Sequence, residues 1–328
     1  MTTPTSSVQA TSAANTIAQF ASDVRYYMML EPRQLPSRYL YDPLGSALFD
    51  AICWLPWYEI TRAERRLLGA HAADVFRCVP SLSTIVELGP GSGQKLRMLI
   101  EGGDSHRLPV DVHLVDVSHD ALTRSTQTLA SLAGVRTITH EQTYEAGLEA
   151  VAARAPHQGR TLVVFLGSNI GNFDPPAAHA FCRAIRAALA PGDALLLGAD
   201  LIKPERQLLL AYDDPLGVTA AFNRNLLVRI NRELAGNFVI EHFAHRAIWN
   251  PSAARVEMRL VADSRQHVSI ARAQIEFDMA ADEPIWTESS YKYEAGDVER
   301  MLNAASFRLN THWTDETAQF ALFLVDAV

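Results

Sequence analysis

Three glycines at alternate positions, flanked by two acidic residues that each close a short apolar run, are the residues of this 328-residue chain best suited to chemistry. The first run is Ile85-Val86-Glu87-Leu88-Gly89-Pro90-Gly91-Ser92-Gly93-Gln94-Lys95. Glycine carries no Cβ, so the backbone can turn sharply there and let a ligand lie against it. A segment of helical character follows, and its free N–H groups and positive dipole end would face the same spot. A carboxylate at Glu87 would repel a pyrophosphate and attract a cationic or hydroxyl-rich ligand. A nucleoside is therefore expected, not a phosphate chain. Val112-His113-Leu114-Val115-Asp116 reads as the next strand, and Asp116 falls where an acidic residue takes ribose hydroxyls in doubly wound sheets.

Alone, the glycine pattern is weak. It is one residue shorter than the G-x-G-x-x-G fingerprint of dinucleotide enzymes, and a tight turn without a ligand would look the same. A nicotinamide oxidoreductase is disfavoured by that spacing and by the lack of a hydride-transfer centre beside a carboxylate anchor. Two carboxylates at successive strand ends, with the glycine turn between them, look like the S-adenosylmethionine site of Rossmann-like methyltransferases. Other side chains suggest less. His242 and His245 are three apart in a strand-like stretch, which sets them on opposite faces and argues against a shared ion. Ser168 lacks the G-x-S-x-G setting of a hydrolase elbow. No metal is expected.

The elements that must position these residues follow from the pattern of the chain. Apolar runs at Thr84–Leu88, Val110–Val115, Val135–Thr139, Thr161–Leu166 and Ala194–Gly198 alternate with helical stretches such as Ala121–Leu132 and Pro176–Leu189. That rhythm predicts an α/β fold with a parallel sheet covered on both faces, and ligands on such sheets sit beyond the carboxyl ends of the strands. Gly89, Asp116 and the turn Leu166–Asn172 should gather there. Ile17, Phe20, Val24, Tyr27 and Met28 predict an amphipathic helix over about Ala14 to Leu30. Thr61 and Glu64 fit a capping box that opens a helix through about Arg77. Pro204 to Leu234 reads as helical, interrupted by Tyr212-Asp213-Asp214-Pro215. Alternating runs at Phe238–Trp249, Arg255–Ala262, His267–Phe277 and Trp286–Tyr293 predict antiparallel strands. A helix near Ala295–Ala304 and strands Arg308–Trp313 and Gln319–Asp326 close the chain.

Composition narrows the partners. With 48% hydrophobic residues the chain can bury a large core, and a formal charge of −8 without a Lys/Arg-rich run makes nucleic acid an unexpected partner. No apolar run reaches membrane-spanning length. Cys53, Cys78 and Cys182 are few and scattered, which argues for a reducing compartment and predicts a cytoplasmic protein. Met1 to about Asn15 lacks the basic-then-apolar order of a signal peptide and is expected to be a loose leader.

Longer motifs carry a more specific resemblance. They are Tyr41-Asp42 with Gly45-Ser46-x-Leu48-Phe49; Leu55-Pro56-x-Tyr58 with Thr61-Arg62-Ala63-Glu64; Glu87-Leu88-Gly89-x-Gly91; and Phe165-Leu166-Gly167-Ser168-x-Ile170-Gly171-Asn172. Further on stand Ala211-Tyr212-Asp213-Asp214 with Gly217 through Asn223, then Glu257-Met258, and Thr287-Glu288-x-Ser290. In order and from about Leu35 onward, the chain closely resembles the S-adenosylmethionine-dependent histidine Nα-methyltransferases of ergothioneine biosynthesis.

The resemblance implies a Rossmann-like class I methyltransferase sheet (residues 64–200 and 293–328) with an inserted α+β substrate-binding lobe (residues 1–63 and 201–292, the first 14 disordered). It implies a monomer that methylates L-histidine up to three times to hercynine, releasing S-adenosylhomocysteine, with another amino acid or amine as the alternative acceptor. It assigns Gly89, Lys95 and Asp116 to the donor, with Glu87 and Gly91 in the same turn. Where the family has an Asp-Phe pair near the adenine, this chain has Thr143-Tyr144. Tyr58, Asn172 and Tyr212 match positions that hold the amino-acid backbone of the substrate, and Tyr41, Phe49 and Gly167 line the cavity. Glu288 and Ser290 match the pair that grips the imidazole, and Met258 packs beside it. Tyr41 or Tyr58 would orient the amine. A carboxylate and a hydroxyl two apart on a strand face one side, and can take the donor and the acceptor nitrogen of an imidazole.

Overall fold

The computed structural model describes residues 5–103, 109–153 and 159–328. They form two compact units, Met1–Trp57 with Glu205–Ser289 and Tyr58–Pro204 with Ser290–Val328. The first unit opens with α1 (Thr5–Met28), a short β1 (Arg33–Gln34) and α2 (Pro43–Trp54). The second unit follows with α3 (Glu59–Cys78), β2 (Leu82–Leu88), α4 (Gln94–Gly102), β3 (Val110–Asp116), α5 (His119–Leu129) and β4 (Val135–Glu141). It continues with α6 (Tyr144–Ala152), β5 (Arg160–Phe165), α7 (Pro175–Ala187) and β6 (Ala194–Asp200). The chain then returns to the first unit with α8 (Glu205–Tyr212), α9 (Val218–Leu234), β7 (Phe243–Asn250), β8 (Arg255–Ala262), β9 (Gln266–Ile270) and β10 (Ile275–Met279). β11 (Pro284–Tyr291) runs on into the second unit, which ends with α10 (Ala295–Ala304), β12 (Phe307–Asp315) and β13 (Phe320–Ala327).

The second unit is built on a seven-stranded sheet in the order β12-β13-β6-β5-β2-β3-β4. The five strands from β2 to β6 pair in parallel, and β13 is antiparallel to both β6 and β12. Its central strands are continuous apolar runs because helices cover both faces, and β6 is buried along its whole length. A core of Val86, Leu88, Phe165, Leu195, Leu197 and Phe323 packs under α7 and α10. Strand order reverses between β2 and β5, so the carboxyl ends of β2, β3 and β5 are where a ligand crevice belongs on such a sheet. This is the doubly wound, mainly parallel sheet that the strand rhythm predicts, and the first unit's second segment, Glu205–Ser289, interrupts it in the chain after β6.

The first unit holds a four-stranded sheet in the order β1-β11-β8-β7 and the antiparallel pair β9 and β10. Phe20, Val24 and Met28 of α1 are buried, as the helical spacing predicts. The helix itself begins well before Ala14, so the expected loose leader belongs in part to α1, and residues 1–4 lie outside the described residues.

Several boundaries differ from the sequence expectation, each for a local reason. The run Phe238–Trp249 becomes a strand only at Phe243, after a one-turn 3-10 helix at Ile240–His242. The run His267–Phe277 splits into β9 and β10, because a 3-10 turn at Ala271–Ala273 and a left-handed Gln274 reverse the chain into a hairpin. The capping box is not made: α3 starts at Glu59 with Tyr58 at its N-cap, and Thr61 lies inside the helix. Glu64 instead points into the protein interior.

Candidate active site

The donor residues expected from sequence all belong to the second unit and lie at the carboxyl ends of its parallel strands. Gly89 and Gly91 take positive φ, +72° and +55°, which L side chains avoid. A Cβ on Gly89 would stand 2.7 Å from the Tyr144 hydroxyl and 3.3 Å from Asn169 Nδ2, so three loops converge on that backbone. A Cβ on Gly91 would meet nothing within 4 Å, which leaves its backbone open to a ligand. Asp116, half-buried at the end of β3, accepts the Ser118 amide at 2.8 Å, and burial raises its carboxyl above the usual range.

Glu87 differs from the standing negative charge that its position suggested. Its side chain is enclosed in the sheet end, and Oε2 has no hydrogen-bond partner among the described residues. Burial pushes the carboxyl up to about 8; Glu64 and Asp116 add to the rise and Lys95 opposes it. Burial thus favours its neutral form, and a cation brought beside it would favour its ionisation.

Thr143 and Tyr144 open α6. Thr143 is exposed and its hydroxyl caps the helix by accepting the Ala146 amide at 3.4 Å. The Tyr144 ring packs edge-on to Phe165, with centroids 5.6 Å apart, and leans on Phe181 at 5.7 Å. It is therefore a floor under the Gly89 turn, and burial raises its phenol.

Lys95 on α4 is held by Glu64, whose local spacing suggested a helix cap. Its ammonium donates to Glu64 Oε2 at 2.7 Å, and the Glu64 carboxylate also accepts the Gly167 amide at 2.7 Å. Glu64 is completely buried; the room for it comes from Gly198 on β6, where a Cβ would lie 2.3 Å from Oε1. One buried carboxylate thus ties α3, α4 and the loop after β5 together.

The loop after β5 carries Asn172 on a one-turn 3-10 helix, Asn169–Asn172, with its side chain exposed. Ser168 adopts a left-handed conformation before it, and its Oγ accepts the Asp200 amide at 2.9 Å. The Tyr293 hydroxyl donates to the Ile170 carbonyl at 3.2 Å, and Gly171 lies against the Tyr291 carbonyl, where a Cβ would stand at 2.7 Å. Tyr58 is buried at the start of α3. Ser290 is buried on β11 and accepts the Lys292 ammonium at 2.9 Å.

In the first unit the Tyr41, Phe49 and Phe222 rings form an aromatic group, with centroids 5.5 Å, 5.5 Å and 5.9 Å apart. Asp42 anchors it. This carboxylate caps α2 through the Gly45 amide at 2.7 Å and accepts Asn225 at 2.7 Å and Arg232 at 2.6 Å. Burial works against its ionisation, but these donors together hold its carboxyl below the usual range. Tyr212 is buried at the end of α8, and its carbonyl accepts His245 Nε2 at 2.8 Å. The Asn223 amide stands 2.9 Å from the other His245 nitrogen, so the ring bridges α9 to α8. Burial lowers the His245 pKa, which keeps the imidazole neutral. Met258 is buried on β8, and its carbonyl accepts the Thr287 hydroxyl at 3.0 Å. Glu288, half-buried on β11, is the residue after that threonine.

The open Gly91 turn, the half-buried Asp116 and the unpartnered buried Glu87 suit a ligand with ribose hydroxyls and a positive charge, which S-adenosylmethionine has. Among the described residues, no group of three or more His, Cys, Asp or Glu side chains could hold a metal ion.

Residues 20–327 match the family model described as histidine-specific methyltransferase, S-adenosylmethionine-dependent. The chain belongs to that family. It is 40% identical over 303 residues to a histidine N-alpha-methyltransferase of Mycolicibacterium smegmatis, covering 92% of this chain and 93% of that one. Identity is also 40% over 307 residues to the protein of the same name from Mycobacterium tuberculosis, with coverage of 92% and 93%. The ergothioneine biosynthesis protein 1 of Neurospora crassa is 27% identical over 86% of this chain, which spans 32% of that longer protein. As a member of the histidine-specific methyltransferases, the chain uses S-adenosylmethionine.

Sequence reasoning gave no supporting role to Asp200 or Lys292 in this methyltransferase, nor to Glu64, Ser168 and His245, although Glu64 and Ser168 stand in the motifs of the resemblance. Lys292 had a signal. It sits two residues after Ser290 in a strand register, where the alternation aims a lysine into the interior.

Proposed function

We propose that this methyltransferase moves methyl groups from S-adenosylmethionine to the α-amino group of L-histidine, up to three times, giving hercynine for ergothioneine biosynthesis. The carrying observation is identity of 40% across 92% of the chain with relatives named for that transfer. The donor supplies an electrophilic methyl group on a sulfonium and departs as S-adenosylhomocysteine. Gly89, Gly91, Lys95 and Asp116 hold it, Glu87 answers its positive charge, and Thr143 and Tyr144 border the adenine.

The acceptor nitrogen attacks with its lone pair, so the amine must be neutral and aligned with the methyl carbon. Orientation of that kind contributes roughly 7–11 kcal/mol to lowering such barriers. Asn172 and Tyr212 bind the substrate carboxylate through an amide N–H and a phenolic O–H. Tyr41 and Tyr58 orient the amine, and Phe49, Gly167 and Met258 shape the surrounding space. Neutral hydrogen-bonding groups and aromatic faces tolerate the growing bulk and permanent charge of the methylated amine better than a tight ion pair does. Glu288 and Ser290 select the imidazole.

Among the described residues no helix is long and apolar enough to cross a membrane. The charge of −8 supports a partner that is neither nucleic acid nor membrane, and we take the protein to act as a cytoplasmic monomer. The test is to incubate it with S-adenosylmethionine and each common amino acid and to weigh the products. A gain of three methyl groups on histidine alone is expected. Methylation of a different amino acid or amine would overturn the acceptor, and donor binding without any product would overturn the enzyme.

A further inference from the structure

The turn after β5 carries two asparagines, and the transfer mechanism uses one of them. Asn169 and Asn172 open and close the 3-10 turn Asn169–Asn172. Such a turn has three residues per revolution, so side chains three apart eclipse on one face, about 6 Å from each other along its axis. Asn172 is given to the carboxylate of the amino-acid acceptor. Asn169 presents the same kind of amide on the same face, and it is half-buried, so a ligand can reach it.

Their surroundings separate the two. Asn169 Nδ2 stands 3.3 Å from the point where a Cβ on Gly89 would be, and the Tyr144 hydroxyl stands 2.7 Å from that point. Asn169 Oδ1 lies 3.5 Å from the corresponding point on Gly167, and the Lys95 ammonium 3.1 Å from it. Asn169 thus sits between the glycine turn and Lys95, both of which the proposed function gives to the donor. The backbone that puts it there is left-handed at two successive residues, with φ +79° at Gly167 and +58° at Ser168. A serine in that region is strained, and such strain collects where a side chain must be aimed at a ligand. Ser168 Oγ accepts the Asp200 amide at 2.9 Å, which anchors the Asn169 end of the turn on β6, whereas Gly171 at the other end lies against Tyr291.

S-adenosylmethionine has an amino-acid end of its own, with an α-ammonium and an α-carboxylate beyond the sulfur. Lys95 offers that carboxylate charge but little direction, because an ammonium on a flexible stem acts as a point charge. An amide N–H supplies direction. We infer that Asn169 binds the methionyl carboxylate of the donor through its Nδ2–H, so that one turn holds two amino-acid head groups, the donor's at Asn169 and the acceptor's at Asn172. The inference rests on the proposed assignment of Gly89 and Lys95 to the donor. It gives the paired asparagines a shared purpose, which is to place donor and acceptor against each other for an aligned displacement.

The test is calorimetry on the full-length protein with S-adenosylhomocysteine and with 5′-methylthioadenosine, the same nucleoside thioether without the amino-acid end. Asn169→Ala should weaken S-adenosylhomocysteine about tenfold, the scale of one hydrogen bond to a charged group, and leave methylthioadenosine within about twofold. Asn169→Asp keeps the shape, removes the donor N–H and brings a like charge, so it should weaken S-adenosylhomocysteine at least as much. With S-adenosylhomocysteine saturating, histidine affinity should stay within about threefold in both variants. An equal loss of both nucleosides would make Asn169 a prop of the turn and overturn the inference. A loss confined to histidine would give both asparagines to the acceptor and overturn it too, as would S-adenosylhomocysteine bound as tightly as by the native protein. Methylthioadenosine reports the donor site by itself: if the native protein binds neither nucleoside, the assignment of that site fails and takes the inference with it. Either variant decides the matter if the other does not fold.

Discussion

Lys95 stands 2.7 Å from Glu64, and Glu64 is the fully buried partner of the two. The pair joins α4 to α3, and through the Gly167 amide it joins both to the loop after β5. Removing the lysine leaves a carboxylate inside the protein with a single backbone donor described for it. Lys95→Met should destabilise the second unit by about 2 kcal/mol, less than for a wholly buried pair because the lysine is partly exposed. Urea denaturation measures this, and a change below about 0.5 kcal/mol would refute the role given to Glu64. Adding Glu64→Gln should restore much of the loss, since no unpaired charge then remains.

Glu87 predicts the pH dependence. Its folded-state pKa, about 8, lies above the ordinary carboxyl value of 4.5. Between those values the folded protein holds a proton that the unfolded chain has lost. The stability this contributes is complete below pH 4.5 and disappears as pH rises through about 8. Glu87→Gln should therefore flatten the fall of Tm between about pH 5 and pH 9. Parallel Tm curves for the two proteins would show that Glu87 is ionised in the fold.

Glu288→Ala should weaken histidine binding by on the order of 2–3 kcal/mol, the scale of a charged hydrogen bond, while donor affinity stays unchanged. Unchanged histidine affinity would remove Glu288 from the site. Asn172→Ala should damage use of every α-amino acid; an effect confined to the donor would contradict its assignment to the substrate carboxylate.

At Gly171 the constraint is space. Its added Cβ would stand 2.7 Å from the Tyr291 carbonyl, too close for real atoms, so the turn bearing Asn172 must shift away from β11. Gly171→Ala should lower kcat/KM for histidine at least tenfold, because misplacement on the scale of 1 Å is costly in an aligned displacement. Donor affinity, read by calorimetry, should change little. Normal turnover would mean that the turn has no fixed place in catalysis.

The order of strands and helices was readable in the chain because period and composition act locally. The five apolar runs from Thr84 to Gly198 are continuous because both faces of the sheet are covered, and each forms a parallel strand. The glycine turn was readable for the same reason, since positive φ leaves a mark in residue type at Gly89 and Gly91. What escaped depends on partners distant in sequence. Glu64 looked like a cap because Thr61 precedes it by three residues; its real partners are Lys95 and Gly167, and nothing near Glu64 announces them. The spacing of His242 and His245 argued against a shared ion but could not show what His245 does, which is to bridge Asn223 to the Tyr212 carbonyl. Glu87 was placed correctly but read as a standing negative charge, because the sequence does not show how completely the fold encloses it.

The placement of β13 has a consequence for how the protein is made. β6 is entirely buried, and one of its two neighbours in the sheet is β13. On the ribosome the whole segment Glu205–Ser289 emerges after β6 and before that neighbour exists. Throughout that interval Leu195, Leu196 and Leu197 line an open, sticky edge that can recruit a strand from another nascent molecule. Yield during rapid synthesis should then depend on how well that edge is shielded by chaperones, a vulnerability that the finished protein no longer displays.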